Sequence, residues 1–302
     1  MSTNEHSSTN TKQEILTYDA KRAEWMYDQA RNGNLSHAIL FFGNEYVGKK
    51  TYALELARIR ESKKTGEHRT VLADTFIVDG HASGIDHIRT IKEWVNKKPI
   101  NGIGQTVIID NAHELSHQAV NALLKTLEDP REGSVIILIT HDSELIPETI
   151  RSRVHTYHFA PVSSDAIQTM LEKKYGISKQ DAMVYAQKSF GLPGLAWRMA
   201  CDPVFQATEK IVGQFLDSNT SPSQKKNTIA TIIEDEKFDM SMFLRTCMII
   251  LAQQRATTSI PPSLWRYMIN LTRQSQQYNL SNKIQLTALL NQINNIVPRS
   301  AF

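Results

Sequence analysis

The sequence has few cysteines and no long apolar run, and each absence excludes a class of protein. Its 302 residues include two cysteines, Cys201 and Cys247, and no Cys-x-x-Cys pair, so neither a disulfide framework nor a zinc knuckle is encoded. No apolar stretch approaches the length of a membrane span. Residues 1–13 are polar and lack the apolar core of a signal peptide. We therefore expect a cytoplasmic protein with a loose polar leader and reduced thiols.

A strong charge of either sign is also missing. The formal net charge is +3, and no block of Lys and Arg reaches the density of a nucleic-acid-binding stripe. No helix with base-reading side chains is recognisable, which makes a DNA-binding regulator the weakest interpretation. Composition therefore leaves the function open, and the motifs have to decide it.

The apolar residues form short runs that alternate with helical patterns. The β-branched runs at 107–109 and 135–139 are typical of central strands buried on both faces of a parallel sheet. Between them, Ser116 can cap a helix that Pro130 ends. Similar runs occur at 38–42, 75–79 and 154–159. This order predicts an α/β fold with a doubly wound, parallel, five-stranded sheet.

Beyond this sheet the pattern is helical. Short helical patterns separated by Gly176 and Gly191 predict a small helical lid, and longer ones predict a closing all-α bundle. The predicted domains are a leader (1–13), an α/β domain (14–160), a lid (161–205) and a bundle (206–302).

A phosphate-loop motif, G-x-x-x-x-G-K, follows the first predicted strand and precedes a helix. Its glycines, Gly43 and Gly48, allow close backbone approach to phosphates, and Lys49 supplies positive charge. The hydroxyl that would bind magnesium is missing, because Lys50 occupies its position and Thr51 is turned by about 100° around the helix. The motif predicts weak ATP or ADP binding through these glycines, Lys49 and Thr51, with magnesium poorly held. The alternative is a loop that keeps only its shape.

Four segments carry a family pattern, the most specific being Asn-Ala-Leu-Leu-Lys-Thr-Leu-Glu-Asp-Pro at 121–130. The others lie at 36–41, 85–89 and 150–153. Together they resemble the bacterial clamp-loader subunits of the AAA+ class, and among them the delta-prime type. The resemblance implies an AAA+ domain and a bundle that acts as the collar of a ring. It also implies gamma/tau motor subunits and a delta subunit as partners, with a sliding clamp and primed DNA reached through the complex and no membrane.

Two departures from the family pattern concern hydrolysis. In active members, an Asp that ends a strand is followed by a Glu that orients the attacking water, whereas Asp110 is followed here by Asn111. Together with Lys50, this substitution implies a non-hydrolysing, accessory subunit of a DNA polymerase holoenzyme that requires no cofactor. Many members also carry a four-cysteine zinc module after the phosphate loop. Residues 58–74 contain no cysteine, so we expect no zinc and no other metal.

One charged residue of the family pattern is retained. The Ser-Arg-Cys motif is present as Ser152-Arg153-Val154, which implies that Arg153 enters the ATP site of a neighbouring subunit as an arginine finger. The alternative is a surface salt bridge. Thr140 matches a phosphate-sensing position, with a hydroxyl that satisfies local backbone as the alternative. The histidines show no metal-ligand spacing and are expected at the surface or in strands.

These observations leave two function hypotheses. The first is a structural and regulatory clamp-loader subunit of the delta-prime type, without ATPase activity of its own. The second is an active AAA+ ATPase, such as a gamma/tau-type motor subunit or a recombination-associated AAA+ protein. Tight, magnesium-dependent ATP binding with turnover would favour the second.

Overall fold

The computed structural model describes residues 19–62, 72–80, 85–100, 102–217, 220–234, 238–254, 261–277 and 281–296. It divides into two compact units, Met1–Ala196 and Trp197–Phe302. The predicted leader, residues 1–13, lies outside the described residues. Among the described helices, none is long and apolar enough to cross a bilayer.

The first unit alternates strands and helices. Its elements are α1 (Ala20–Asn32), β1 (Ala38–Phe42), α2 (Lys49–Ser62), β2 (Thr75–Asp79), α3 (Ile85–Val95), β3 (Thr106–Asp110), α4 (His117–Glu128), β4 (Val135–Thr140), α5 (Glu148–Arg151), β5 (His155–His158), α6 (Ser164–Tyr175), α7 (Lys179–Lys188) and α8 (Pro193–Cys201), of which α8 crosses the division between the units. As predicted, the hydroxyl of Ser116 caps α4 by accepting from the amide of Ala119 at 3.2 Å.

The five strands form one parallel sheet in the order β2-β3-β4-β1-β5. The central strand β4 is buried at every position, whereas β5 at the edge is largely accessible. Alternate residues of the central strands enter two apolar clusters, one with α3 and α4 and one with α1 and α2. The predicted doubly wound α/β fold is therefore confirmed. Ligands of such sheets bind beyond the carboxyl ends of the strands, and the phosphate loop leaves β1 at that end.

The second helix buries two charged residues near its end. Helix α2 continues to Ser62 and buries both Arg60 and Glu61. Burial lowers the pKa of Arg60 to about 10. Distant groups satisfy these charges: Arg60 donates to Thr106 Oγ1 (3.1 Å) and to the Gly133 carbonyl (2.5 Å), and Glu61 accepts from the amides of Ala73 (2.8 Å) and Asp74 (3.0 Å).

The second unit is helical throughout its described part. Its helices are α9 (Pro203–Leu216), α10 (Pro222–Glu234), α11 (Met240–Gln254), α12 (Pro262–Gln277) and α13 (Asn282–Ile296), and they surround one apolar cluster. Pro222 is the first residue of α10, where a missing amide hydrogen costs nothing.

Candidate functional site

The phosphate loop joins the carboxyl end of β1 to the first residue of α2. Gly43 has a φ of 137° and Gly48 a φ of 102°, both in the region that favours glycine. A Cβ on Gly43 would lie 2.2 Å from the carbonyl oxygen of Phe159, whereas a Cβ on Gly48 would meet nothing within 4 Å. Glycine is therefore required at position 43 for two reasons. Its dihedral angle is unfavourable for other residues, and it lies too close to the backbone that follows β5 to accommodate a Cβ.

The lysine of the loop is turned back onto the loop itself. Lys49 is buried, and its Nζ donates to the carbonyl oxygens of Gly43 at 2.5 Å and Asn44 at 2.7 Å. Burial lowers the pKa of Lys49 from 10.5 to about 8, and the nearby carboxylates of Glu45 and Asp110 oppose that shift. A phosphate group that entered the loop would have to compete with these two carbonyl oxygens for the ammonium group.

The depressed pKa of Lys49 gives a testable titration. We expect the Nζ of Lys49 to lose its proton with a midpoint near pH 8. Between about pH 8 and the unfolded value near 10.5, the unfolded chain holds a proton that the folded chain has released, so stability from this group rises with pH and is lost as pH falls. The ¹⁵N shift of the lysine amines, assigned with a Lys49→Met variant, measures the midpoint. A midpoint near 10.5 would contradict the burial argument.

The next lysine forms an ion pair across the site. Lys50 Nζ lies 3.0 Å from Oδ2 of Asp110, the last residue of β3. The Lys50 side chain is half exposed, with 51% of its surface accessible, and that of Asp110 is mostly covered at 19%. Thr51 is exposed on α2. The carboxylate at the end of β3 is thus engaged by an ammonium group from the same chain.

The residue after Asp110 also differs from the one that an active site would require. Asn111 adopts a left-handed conformation, with a φ of 48°, which asparagine tolerates better than most residues. Its Nδ2 donates to Oδ1 of Asp79 at 3.2 Å, so the amide is directed toward the end of β2. A carboxamide has no basic lone pair that could accept a proton from water. This position therefore provides no general base.

Sequence reasoning missed a pair of histidines beside this strand end. The rings of His113 and His141 pack edge to face with centroids 4.3 Å apart, and His113 Nδ1 lies 3.2 Å from the hydroxyl of Thr140. That hydroxyl also donates to the carbonyl oxygen of Asp142 at 2.9 Å. This geometry matches the alternative interpretation of Thr140, in which its hydroxyl satisfies local backbone. No group of three or more His, Cys, Asp or Glu in the described part of the chain could hold a metal ion.

The lid contacts the phosphate loop through backbone atoms. The amide of Gly194, at the start of α8, donates to the carbonyl oxygen of Tyr46 at 2.8 Å. Tyr46 is itself left-handed with a φ of 61°, and a Cβ on Gly194 would lie 2.9 Å from the same oxygen. The conspicuous Gly-Leu-Pro-Gly at 191–194 was the available sequence signal for this contact. Glycine at position 194 brings the lid directly against the loop.

The retained arginine lies at the other end of the sheet. Arg153 precedes β5, in which His155 pairs with Ile39 and His158 with Phe42. The phosphate loop follows Phe42, so the length of the strand, at least about 10 Å, separates it from the arginine. Arg153 is accessible and its Nη2 lies 2.9 Å from Oε1 of Glu128, with Nη1 donating to the Thr149 carbonyl oxygen at 2.9 Å. This guanidinium cannot serve the loop of its own chain.

Comparison with known proteins finds relatives of the α/β domain that carries this site. The family model described as "DNA polymerase III, delta subunit" matches residues 19–163. The chain is 30% identical over 164 residues to DNA polymerase III subunit delta' of Bacillus subtilis, an alignment that covers 48% of this chain and 49% of that one. The α/β domain belongs to the clamp-loader family. Subunit tau of the same organism is 34% identical over 156 residues, covering 46% of this chain and 27% of tau.

The clamp-loader match is confined to the first unit. It includes the phosphate loop, Asp110 and Arg153, and it stops at residue 163. The chain spans about a quarter to a half of the length of these curated relatives. Over a longer range, a gamma subunit-related protein from Thermotoga maritima has a TM-score of 0.50 and 18% identity, covering 90% of this chain and 99% of that one. This likeness shows the fold alone. The roles of Gly43, Gly48, Lys49, Thr51 and Arg153 stay predictions.

Proposed function

We propose that this chain is a non-hydrolysing clamp-loader subunit of the delta-prime type. It closes a ring formed with gamma/tau motor subunits and a delta subunit, and it contributes Arg153 to ATP held by a neighbour. The assembly opens a sliding clamp and places it on primed DNA. The chain itself needs neither zinc nor bound nucleotide for this role.

The observation that carries the proposal is the placement of Arg153 relative to the phosphate loop. The guanidinium lies at the amino end of β5 and the loop at the carboxyl end of β1, although the two strands are neighbours in the sheet. An accessible arginine that cannot reach its own pocket is positioned to act on another chain. A guanidinium that reaches a transferring phosphoryl group stabilises the negative charge that develops on it.

The state of the pocket supports the other half of the proposal. Lys50 engages Asp110, and Asn111 replaces the base that orients water. Lys49 is bonded to carbonyl oxygens of its own loop. Hydrolysis would require Asp110 and Lys49 to be available to magnesium and phosphate, and it would require a base at position 111. The pocket is therefore suited to a structural role rather than to turnover.

A second candidate function is that of a motor subunit. The 34% identity to subunit tau of Bacillus subtilis favours it, because tau and delta' relatives are about equally similar to this chain. A motor subunit would need a base at position 111 and a magnesium ligand at position 50. The residues present are Asn111 and Lys50, and neither side chain can perform these tasks.

Measuring ATP turnover by the purified chain separates the two candidates. We expect phosphate release in the presence of magnesium to equal the rate of a Lys49→Ala variant, which removes the ammonium group from the loop. Equal rates mean that no turnover depends on this pocket. A wild-type rate at least about tenfold above that variant, a difference of about 1.4 kcal/mol in activation free energy, would instead establish the motor function and overturn the proposal.

A further inference from the structure

The two positions that hold magnesium in a working phosphate loop contact each other in this chain. One is the residue after the loop lysine, normally Ser or Thr, and the other is an aspartate at the end of another strand of the sheet. Here they are Lys50 and Asp110, with Nζ and Oδ2 3.0 Å apart. The ammonium group thus lies against the carboxylate that would otherwise face a divalent cation.

These residues do not fit a magnesium ion. Magnesium requires oxygen ligands in a near-octahedral arrangement, and an ammonium group offers three donors and no acceptor. A divalent cation placed near Asp110 would also be repelled by Lys50, and Lys49 adds a second amine within electrostatic range of the same carboxylate. Thr51, which does carry a hydroxyl, lies one residue farther along α2 and is exposed. The pocket therefore already contains a monovalent cation, the ammonium group of Lys50, which belongs to the chain itself.

We infer that Lys50 is a built-in replacement for the divalent cation, and that it makes this pocket select the metal-free form of a nucleoside polyphosphate over the magnesium complex. The inference deepens the proposed function, on which it rests, by naming the ligand form that a non-hydrolysing pocket would accept. Metal-free nucleotide keeps the negative charge that Lys49 and Lys50 can neutralise. The magnesium complex brings a cation that would have to displace Lys50 from Asp110.

The test compares the wild type with Lys50→Thr, which supplies the missing hydroxyl and releases Asp110. Melting temperatures are measured with ATP plus EDTA and with ATP plus magnesium, since a ligand that binds the folded state raises the melting temperature. We expect magnesium to give the wild type no additional stabilisation. In Lys50→Thr, magnesium should strengthen ATP binding by about tenfold or more, equivalent to about 1.4 kcal/mol. Lys50 is half exposed, so the substitution should leave the fold intact.

Lys50→Arg is the matched control, because it keeps a cation beside Asp110 and should behave like the wild type. The inference is overturned if magnesium stabilises the wild type with ATP as much as it stabilises Lys50→Thr. It is equally overturned if Lys50→Thr does not distinguish magnesium from EDTA. Failure of the proposed function would be detected separately, by ATP turnover of the purified chain and by the effect of Arg153→Ala in the assembled loader.

Discussion

Replacing Arg153 with alanine should slow ATP hydrolysis in a reconstituted loader by about a thousandfold at the single site that this arginine completes, the lower range for a finger arginine. The structure gives the reason, because the guanidinium is accessible and lies at the end of the sheet remote from its own phosphate loop. Single-turnover hydrolysis in the complete complex with clamp and primed DNA measures the effect, since other sites in the ring keep working and would mask it in a steady-state rate.

Two controls make the Arg153 experiment specific. Arg151→Ala removes the same charge two residues earlier, from a side chain paired with Glu144 at 2.6 Å, and should leave the rate within a few-fold of the wild type. Arg153→Lys keeps the charge but loses the planar fork that matches phosphate oxygens, so it should recover only part of the rate. If Arg153→Ala assembles normally and hydrolyses ATP at the wild-type rate, the finger role is wrong and the ion pair with Glu128 is merely a surface contact.

The second large effect is expected at Gly43. Gly43→Ala should lower the free energy of unfolding of the first unit by about 4 kcal/mol, which combines a disfavoured dihedral angle with a steric clash. The clash is with backbone, because the added Cβ would lie 2.2 Å from the Phe159 carbonyl oxygen. Backbone of this kind cannot rotate away as a side chain can, so the loop or the segment after β5 must move.

Gly48→Ala is the natural comparison for Gly43→Ala. Both positions have a positive φ, but a Cβ at Gly48 meets no atom within 4 Å, so we expect a loss of about 1–2 kcal/mol from the dihedral angle alone. Calorimetry of the full chain should show the difference as a melting transition lowered by several degrees more in Gly43→Ala, at about 2–4 °C per kcal/mol. Equal shifts for the two variants would show that the close approach to Phe159 contributes nothing.

Local signals in the sequence were sufficient for the sheet and for the position of the loop. The strands containing Ile108 and Ile137 are short β-branched runs, and burial on both faces leaves such a run few alternatives. The loop was recognisable because its glycines and lysine, Gly43, Gly48 and Lys49, lie close together in the chain at a characteristic spacing. The place of Arg153 before an edge strand was also predictable, since it depends only on the order of neighbouring elements.

What the sequence could not supply were partners that are distant along the chain. Buried Arg60 and Glu61 have the composition of a surface segment, and only the fold brings Thr106 and Asp74 to them. The pair formed by Lys50 and Asp110 likewise depends on two elements meeting at one end of the sheet. The sequence showed that a hydroxyl was missing from that position, but it did not show that the ammonium group of Lys50 would lie against Asp110.

The separation of Arg153 from the phosphate loop gives the proposed assembly a direction. Under the proposal, this chain donates an arginine to the ATP site of one neighbour, but it has no working ATP site of its own. The series of ATP-hydrolysing sites around the ring would therefore end at this subunit. Under the proposed function, the order of subunits around the ring would be fixed by which chains accept an arginine and which chain only donates one.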